Sequence, residues 1–217
     1  MRFLQTRRAE KITAYLLIIY YTVGLAGLSL PSARERFTEL MPLTLIISTL
    51  ILLFFHRKWK RYDAPVLIII AAGGFLVEAV GVLSGNIFGA YWYGETLGVK
   101  LFDTPLIIGV NWMMLTYCTY SIMENTRLFW PLKAIAAAIL MLSYDLVLEP
   151  VAIRTGMWYW ESGSVPLQNY QAWFIISLIF LTLMHIAGVR TGNRIAPWIF
   201  GVQFVFLICL NITLRLF

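Results

Sequence analysis

The chain has 217 residues, 60% of them hydrophobic and only 13% charged, with a mean hydropathy of +0.77. A water-soluble domain of this length cannot hide so much apolar surface, because small folds leave a large share of their surface in water, so the composition points to a single transmembrane domain over residues 1–217. The net charge of +6 does not indicate nucleic acid: the basic residues sit in short segments between apolar runs and form no continuous groove for a phosphate backbone.

Taken in chain order, seven apolar segments are long enough to cross a hydrocarbon layer of about 30 Å as helices. They cover residues 12–30, 40–55, 65–84, 105–123, 131–149, 171–188 and 195–216. The first is too long for the apolar region of a signal peptide and has no clear small-residue cleavage site, so it is read as a span. Pro65, Pro105 and Pro131 open the third, fourth and fifth segments, where a missing N–H costs nothing. Pro150 predicts that the fifth helix ends or kinks at Glu149. Gly81, Gly85 and Gly89 form a small-xxx-small run that predicts close helix packing. Cys118 and Cys209 both fall in apolar runs and read as small core residues, with no CxxC spacing or disulfide framework.

The positive-inside rule then orients the bundle. Arg2, Arg7, Arg8 and Lys11 precede the first segment, and Arg57, Lys58, Lys60 and Arg61 follow the second. Arg127, Lys133, Arg190 and Arg194 fall on the same side. This predicts a protein of the cytoplasmic (inner) membrane, with its N-terminus in the cytoplasm, its C-terminus outside and its two long loops, 85–104 and 150–170, external.

Those loops carry an internal repeat over residues 65–123 and 131–188. Glu78 is followed seven residues later by Gly85, then by Tyr91, Trp92 and Tyr93, then by Pro105 with Trp112 seven further on. Glu149 is followed seven later by Gly156, then by Trp158, Tyr159 and Trp160, then by Pro166 with Trp173 seven further on. Both units leave and return to the same side, which makes them parallel repeats related by an axis along the membrane normal.

The candidate chemistry lies in three acids inside apolar runs: Glu78, Asp145 and Glu149. An ionised carboxylate in the bilayer costs at least about 2.5–3.5 kcal/mol on insertion scales, so such residues face the bundle interior and usually serve function. The i,i+4 spacing of Asp145 and Glu149 puts both on one helix face, where like charges repel and one is expected to keep its proton. The bland alternative is structural, a neutral acid bonded to a neighbouring helix, or Glu149 paired with Arg154. The aromatic triplets are ordinary interfacial anchors or, beside the acids, ring faces able to stabilise a carbocation. Several other chemistries fail. No lysine lies inside the seventh segment for a retinal Schiff base, two histidines are too few for a His-rich metal cluster, and no P-loop, GxSxG or HExxH motif is present.

The run from Tyr144 and Asp145 through Glu149, Pro150 and Ala152, then Gly156, Trp158 and Trp160, then Pro166, Asn169 and Trp173, resembles the signature of the CruF-type carotenoid 1,2-hydratases. Glu78, Ala79 and Gly81 with Gly85, Phe88, Gly89, Tyr91, Tyr93, Leu97 and Gly98 resemble that family's first block. The resemblance implies hydration, without a cofactor or metal, of the acyclic end of a carotenoid such as γ-carotene or lycopene, with water as co-substrate and lipid as the surrounding medium. It implies Glu78, Asp145 and Glu149 as catalytic acids and bases. One of Asp145 and Glu149 protonates the alkene, and Glu78 stabilises the cation and handles water held by Asn111 and Asn169. Substrate contact is implied for Tyr91, Tyr93, Trp112, Tyr144, Trp158, Trp160 and Trp173. A lycopene-cyclase-like enzyme, starting from the same protonation, and a non-enzymatic isoprenoid or lipid carrier or small transporter are the alternative readings.

Overall fold

A computed structural model describes residues 6–216, which leaves Arg2 outside the described residues. Eight helices follow one another as α1 (Arg7–Ser29), α2 (Pro31–Glu39), α3 (Met41–Phe54), α4 (Asp63–Ser84), α5 (Ile107–Glu124), α6 (Trp130–Arg154), α7 (Leu167–Ile186) and α8 (Ala196–Leu216). Four very short strands interrupt the two long loops: β1 (Tyr91–Tyr93), β2 (Lys100–Leu101), β3 (Thr104–Pro105) and β4 (Trp158–Trp160). The architecture is the expected all-α membrane protein. Each of the seven apolar segments overlaps a helix, and Ile68, Leu83, Ile139 and Ile179 are among many apolar side chains left on the outer faces, where lipid takes the place of a protein partner.

Not all of the seven expected spans have the apolarity of a lipid-facing helix among the described residues. Five helices (α1, α4, α6, α7 and α8) are long and apolar enough to cross a membrane, or six if α2 and α3, bent by 53° to each other, form one broken span. The physical reason for the shortfall is the position of α5. It packs against α3, α4, α6, α7 and α8, and thirteen of its eighteen residues are buried, including Thr116, Thr119 and Ser121. A helix enclosed by other helices needs no lipid-facing hydropathy.

Pro150 does not end its helix, as α6 continues four residues beyond it to Arg154. The proline removes one N–H from the helical ladder, and Asn211 of α8 donates from Nδ2 to the Val147 carbonyl at 2.7 Å in the disturbed turn. Of the small-residue run, only Gly81 lies inside α4. Gly85 caps the helix in the left-handed region at φ +66, and Gly89 has φ +106, so both serve the turn rather than helix packing.

One end of the bundle is locked by polar contacts. His56 is bonded through Nδ1 to the Tyr117 hydroxyl at 2.8 Å and through Nε2 to Asp63 at 3.2 Å. Burial pulls the imidazole below its ordinary value, and a neutral ring donating from Nε2 satisfies both contacts. Arg57 pairs with Glu10, and Glu124 accepts from the Thr191 hydroxyl at 2.6 Å. Asn193 caps α8 by accepting from the backbone N–H groups of Ile195 and Ala196, while its amide donates to the Leu52 carbonyl at 2.8 Å and to Tyr117 at 3.2 Å. The start of α1 and the turns after α3, α5 and α7 thus meet at one end, and β1 and β4 lie at the other. Asn193→Ala strips α8 of its cap and leaves buried groups unpaired, so it is expected to cost about 1–3 kcal/mol, read as a lowered midpoint of thermal unfolding in detergent.

Candidate active site

The two aromatic triplets meet as an antiparallel strand pair in which Tyr91 faces Trp160, Trp92 faces Tyr159 and Tyr93 faces Trp158. Alternation along a strand sends the outer members of each triplet inward, so Tyr91, Tyr93, Trp158 and Trp160 are buried while Trp92 and Tyr159 are exposed. A turn made by Gly85 brings β1 back over the end of α4, and one made by Gly156, φ +69, brings β4 back over α6. The inward rings therefore hang over the acids of the helix just before each strand.

Glu78 sits in a cage of three donors. Its Oε2 accepts from the hydroxyls of Tyr91 at 2.5 Å and Tyr93 at 2.9 Å, and its Oε1 from Trp112 Nε1 at 2.9 Å. Burial, and then the nearby Glu78, pushes both phenols well above their ordinary range, so each stays a donor. Glu149 has a matching cage: Oε2 accepts from Trp158 Nε1 at 3.0 Å and Trp160 Nε1 at 2.9 Å, and Oε1 from Asn169 Nδ2 at 3.4 Å. Arg154 is turned away, donating to the Asn211 carbonyl, so the alternative ion pair with Glu149 is not formed.

Asp145 is treated differently. Its Oδ2 accepts from Asn169 Nδ2 at 2.8 Å, and its Oδ1 is buried with no hydrogen-bond partner. The side chain is 1% exposed, so no bulk solvent satisfies that oxygen.

All three carboxyl groups line one cavity of about 220 Å³. Trp173 lines it and stacks on Trp112, which is fully buried behind and is not part of the lining, with ring centroids 4.1 Å apart, and Tyr91 lies 4.9 Å from Trp160. Asn111 is on the wall, half-buried, without joining the acid cages. Tyr144 also reaches the cavity, but its hydroxyl donates to Gln203 Oε1 at 3.1 Å rather than to an acid.

Sequence reasoning missed Gln203 and Tyr21. Gln203 Nε2 donates to the Tyr21 hydroxyl at 2.7 Å, which pairs with Ser48 Oγ at 2.8 Å, completing a polar chain from Tyr144 across the cavity floor. An amide in the middle of the last apolar run was the available signal. Missed as well was the wall supplied by α1, α2 and α3, whose apolar side chains carry no chemical signature.

The acid cage depends on close packing at Gly74, the position one turn before Glu78 that corresponds to Asp145 before Glu149. A Cβ there would meet Trp112 Cβ at 2.5 Å. Gly74→Ala is expected to cost about 1–3 kcal/mol by overpacking, whereas Gly201→Ala, in open space on α8, is expected to leave thermal stability in detergent unchanged.

A family model described as carotenoid biosynthesis protein matches residues 40–216. Among curated proteins, bisanhydrobacterioruberin hydratase of Haloarcula japonica is 29% identical over 126 residues, a stretch covering 54% of this chain and 43% of the relative. The chain thus spans less than half the length of that relative. No solved structure matches.

Proposed function

The chain belongs to the carotenoid biosynthesis protein family, and we propose that it is a carotenoid hydratase, adding water across the terminal 1,2 double bond of an acyclic carotenoid end. The observation that carries this reading is the unequal supply of hydrogen-bond donors to three acids around one apolar cavity. Glu78 and Glu149 each receive three N–H or O–H donors, the environment that holds an anion. Asp145 receives one and keeps an oxygen unpartnered beside two such anions, the environment of a carboxylic acid with a proton to give.

The roles left open by the sequence follow from that inequality. Asp145 protonates C2 of the terminal alkene, and the π electrons become the new C2–H bond, leaving a tertiary cation at C1. The anions of Glu78 and Glu149 and the faces of Tyr91, Trp160 and Trp173 stabilise the cation in a site with little water. A water molecule then attacks C1 and gives up a proton to Glu78 or Glu149. Return of that proton to Asp145 closes the cycle, with net addition of H to C2 and OH to C1. Asn169, bonded to both Asp145 and Glu149, is suited to orient the donor. Asn111, on the same wall, is suited to hold the water. The relative's name, a hydratase acting on bisanhydrobacterioruberin, supports water addition over ring closure.

The parallel repeat over residues 65–123 and 131–188 is part of the same reading. It is supported by the antiparallel pairing of the triplets, the matching cages of Glu78 and Glu149, the stacking of Trp112 on Trp173 and the left-handed Gly85 and Gly156. The basic loops favour placing the locked end in the cytoplasm and the acid cage toward the outer leaflet of the inner membrane.

In a host making an acyclic carotenoid, Asp145→Asn is expected to lower the hydroxylated pigment at least about 100-fold, the scale of a lost general acid, with Glu78→Gln and Glu149→Gln each lowering it less. Pigment chromatography with mass detection reads the outcome. Full hydroxylation by Asp145→Asn removes the assigned donor, and a product isomeric with the substrate replaces hydration by cyclisation.

A further inference from the structure

The cavity that holds the acids is too small for the molecule it is proposed to act on. Pockets that enclose ligands of drug size run to about 300–1,000 Å³, and this one measures about 220 Å³. It has room for the end of a carotenoid, and the remainder must lie elsewhere.

The wall of α1 and α3 shows where. α1 packs on α2 and α8, and α3 packs chiefly on α5, so the two helices make little direct contact. They are tied by two hydroxyl pairs, Tyr20 to Thr44 at 2.9 Å and Tyr21 to Ser48 at 2.8 Å. Toward the strand end, α2 closes the gap, with Phe37 seated on Gly27 so tightly that a Cβ there would meet the ring at 2.4 Å. Between these two closures the cavity runs out past Val23, Gly24, Leu40, Met41, Thr44 and Leu45. Val23 and Leu40 are 55% and 46% exposed on a face that lipid surrounds, so the acid cavity opens sideways into the bilayer.

We propose that this slot between α1 and α3 is the binding site for the polyene chain: one end group enters to meet Asp145, and the rest of the carotenoid lies through the slot and out among the lipid chains. The proposal rests on the hydratase reading and adds to it the determinant of specificity. Only the end group and the adjoining polyene are read, so the far end can be acyclic, cyclised or polar without effect. A substrate with two identical ends is hydrated at both, in two separate visits.

Gly24 makes the slot testable. It has a half-buried helical position, and a Cβ there meets only the Phe206 ring, at an ordinary 3.7 Å, so a larger side chain projects into the slot without striking backbone. A second groove, lined by Ile18, Leu25, Trp198, Gly201, Val202 and Val205 between α1 and α8, contains none of the acids and serves as the control surface. The wild type, Gly24→Phe and Gly201→Phe are to be made in a host that accumulates an acyclic carotenoid with two identical ends, and purified in mild detergent. Two quantities are read: pigment carried by the protein, from its visible absorption, and product, as singly and doubly hydroxylated carotenoid.

Gly24→Phe is expected to lose pigment and product at least tenfold with an unchanged unfolding midpoint. Gly201→Phe is expected to match the wild type, whose product passes through the singly to the doubly hydroxylated form. Thr44→Phe, filling the slot from the α3 side, takes the place of Gly24→Phe if that variant does not fold. Retention of wild-type pigment by both plugging variants overturns the slot, as does its loss in Gly201→Phe. A wild type that carries pigment and loses it on plugging, yet never yields a hydroxylated product, leaves the slot standing and removes the hydratase reading.

Discussion

A carboxylate taken out of water into the interior of a membrane bundle must recover its lost hydration from polar hydrogens fixed in the protein, and the rest of this structure is arranged around that need. Helices cannot supply those hydrogens from their own backbones, whose N–H groups are already committed to the ladder. The donors come instead from side chains, four of them on loops folded back into the mouth of the bundle and two, Trp112 and Asn169, on the neighbouring helices α5 and α7. β1 and β4 are only three residues each, but their pairing fixes four inward rings over Glu78 and Glu149. Glu78 and Glu149 are well supplied in this way, while Asp145 is left short of donors in the same apolar space, and the proposed division of roles rests on that difference.

That arrangement also explains why the bundle is built unevenly from end to end. The end without the strands is closed by capping and ion pairing among the turns around His56, Glu124 and Asn193. At the strand end, side chains that could have made similar ties are used by the acids. A bundle tied at one end and open toward the other fits the proposed entry of substrate from the lipid.

Much of the helical framework was legible in the sequence because lipid-facing helices must be apolar, and the acids were legible because they break that rule. The aromatic triplets could be seen, and their spacing from Glu78 and Glu149 pointed to a repeat. Their partners could not be seen, since the antiparallel register of β1 and β4 depends on where two loops fold back in space. That the helix runs on past Pro150 was not legible, because the support from Asn211 comes from another helix. Fewer than the expected seven helices are apolar enough to pass as lipid-facing spans, because α5 has the length of a membrane helix while living among other helices. The α1–α3 wall was invisible for a simpler reason: a gap between helices is made by what fails to touch, and no residue type announces it.

The strand pair has one more consequence. Each strand hydrogen-bonds to the other while its rings serve the carboxylate of its own half, with Tyr91 packed against Trp160 and Tyr93 against Trp158. A change in either triplet shifts the footing of the other, so the energetic effects of paired substitutions across the strand pair will not be additive. Drift in one triplet is therefore constrained by the other, and the two strands must diverge together, as a single epistatic unit.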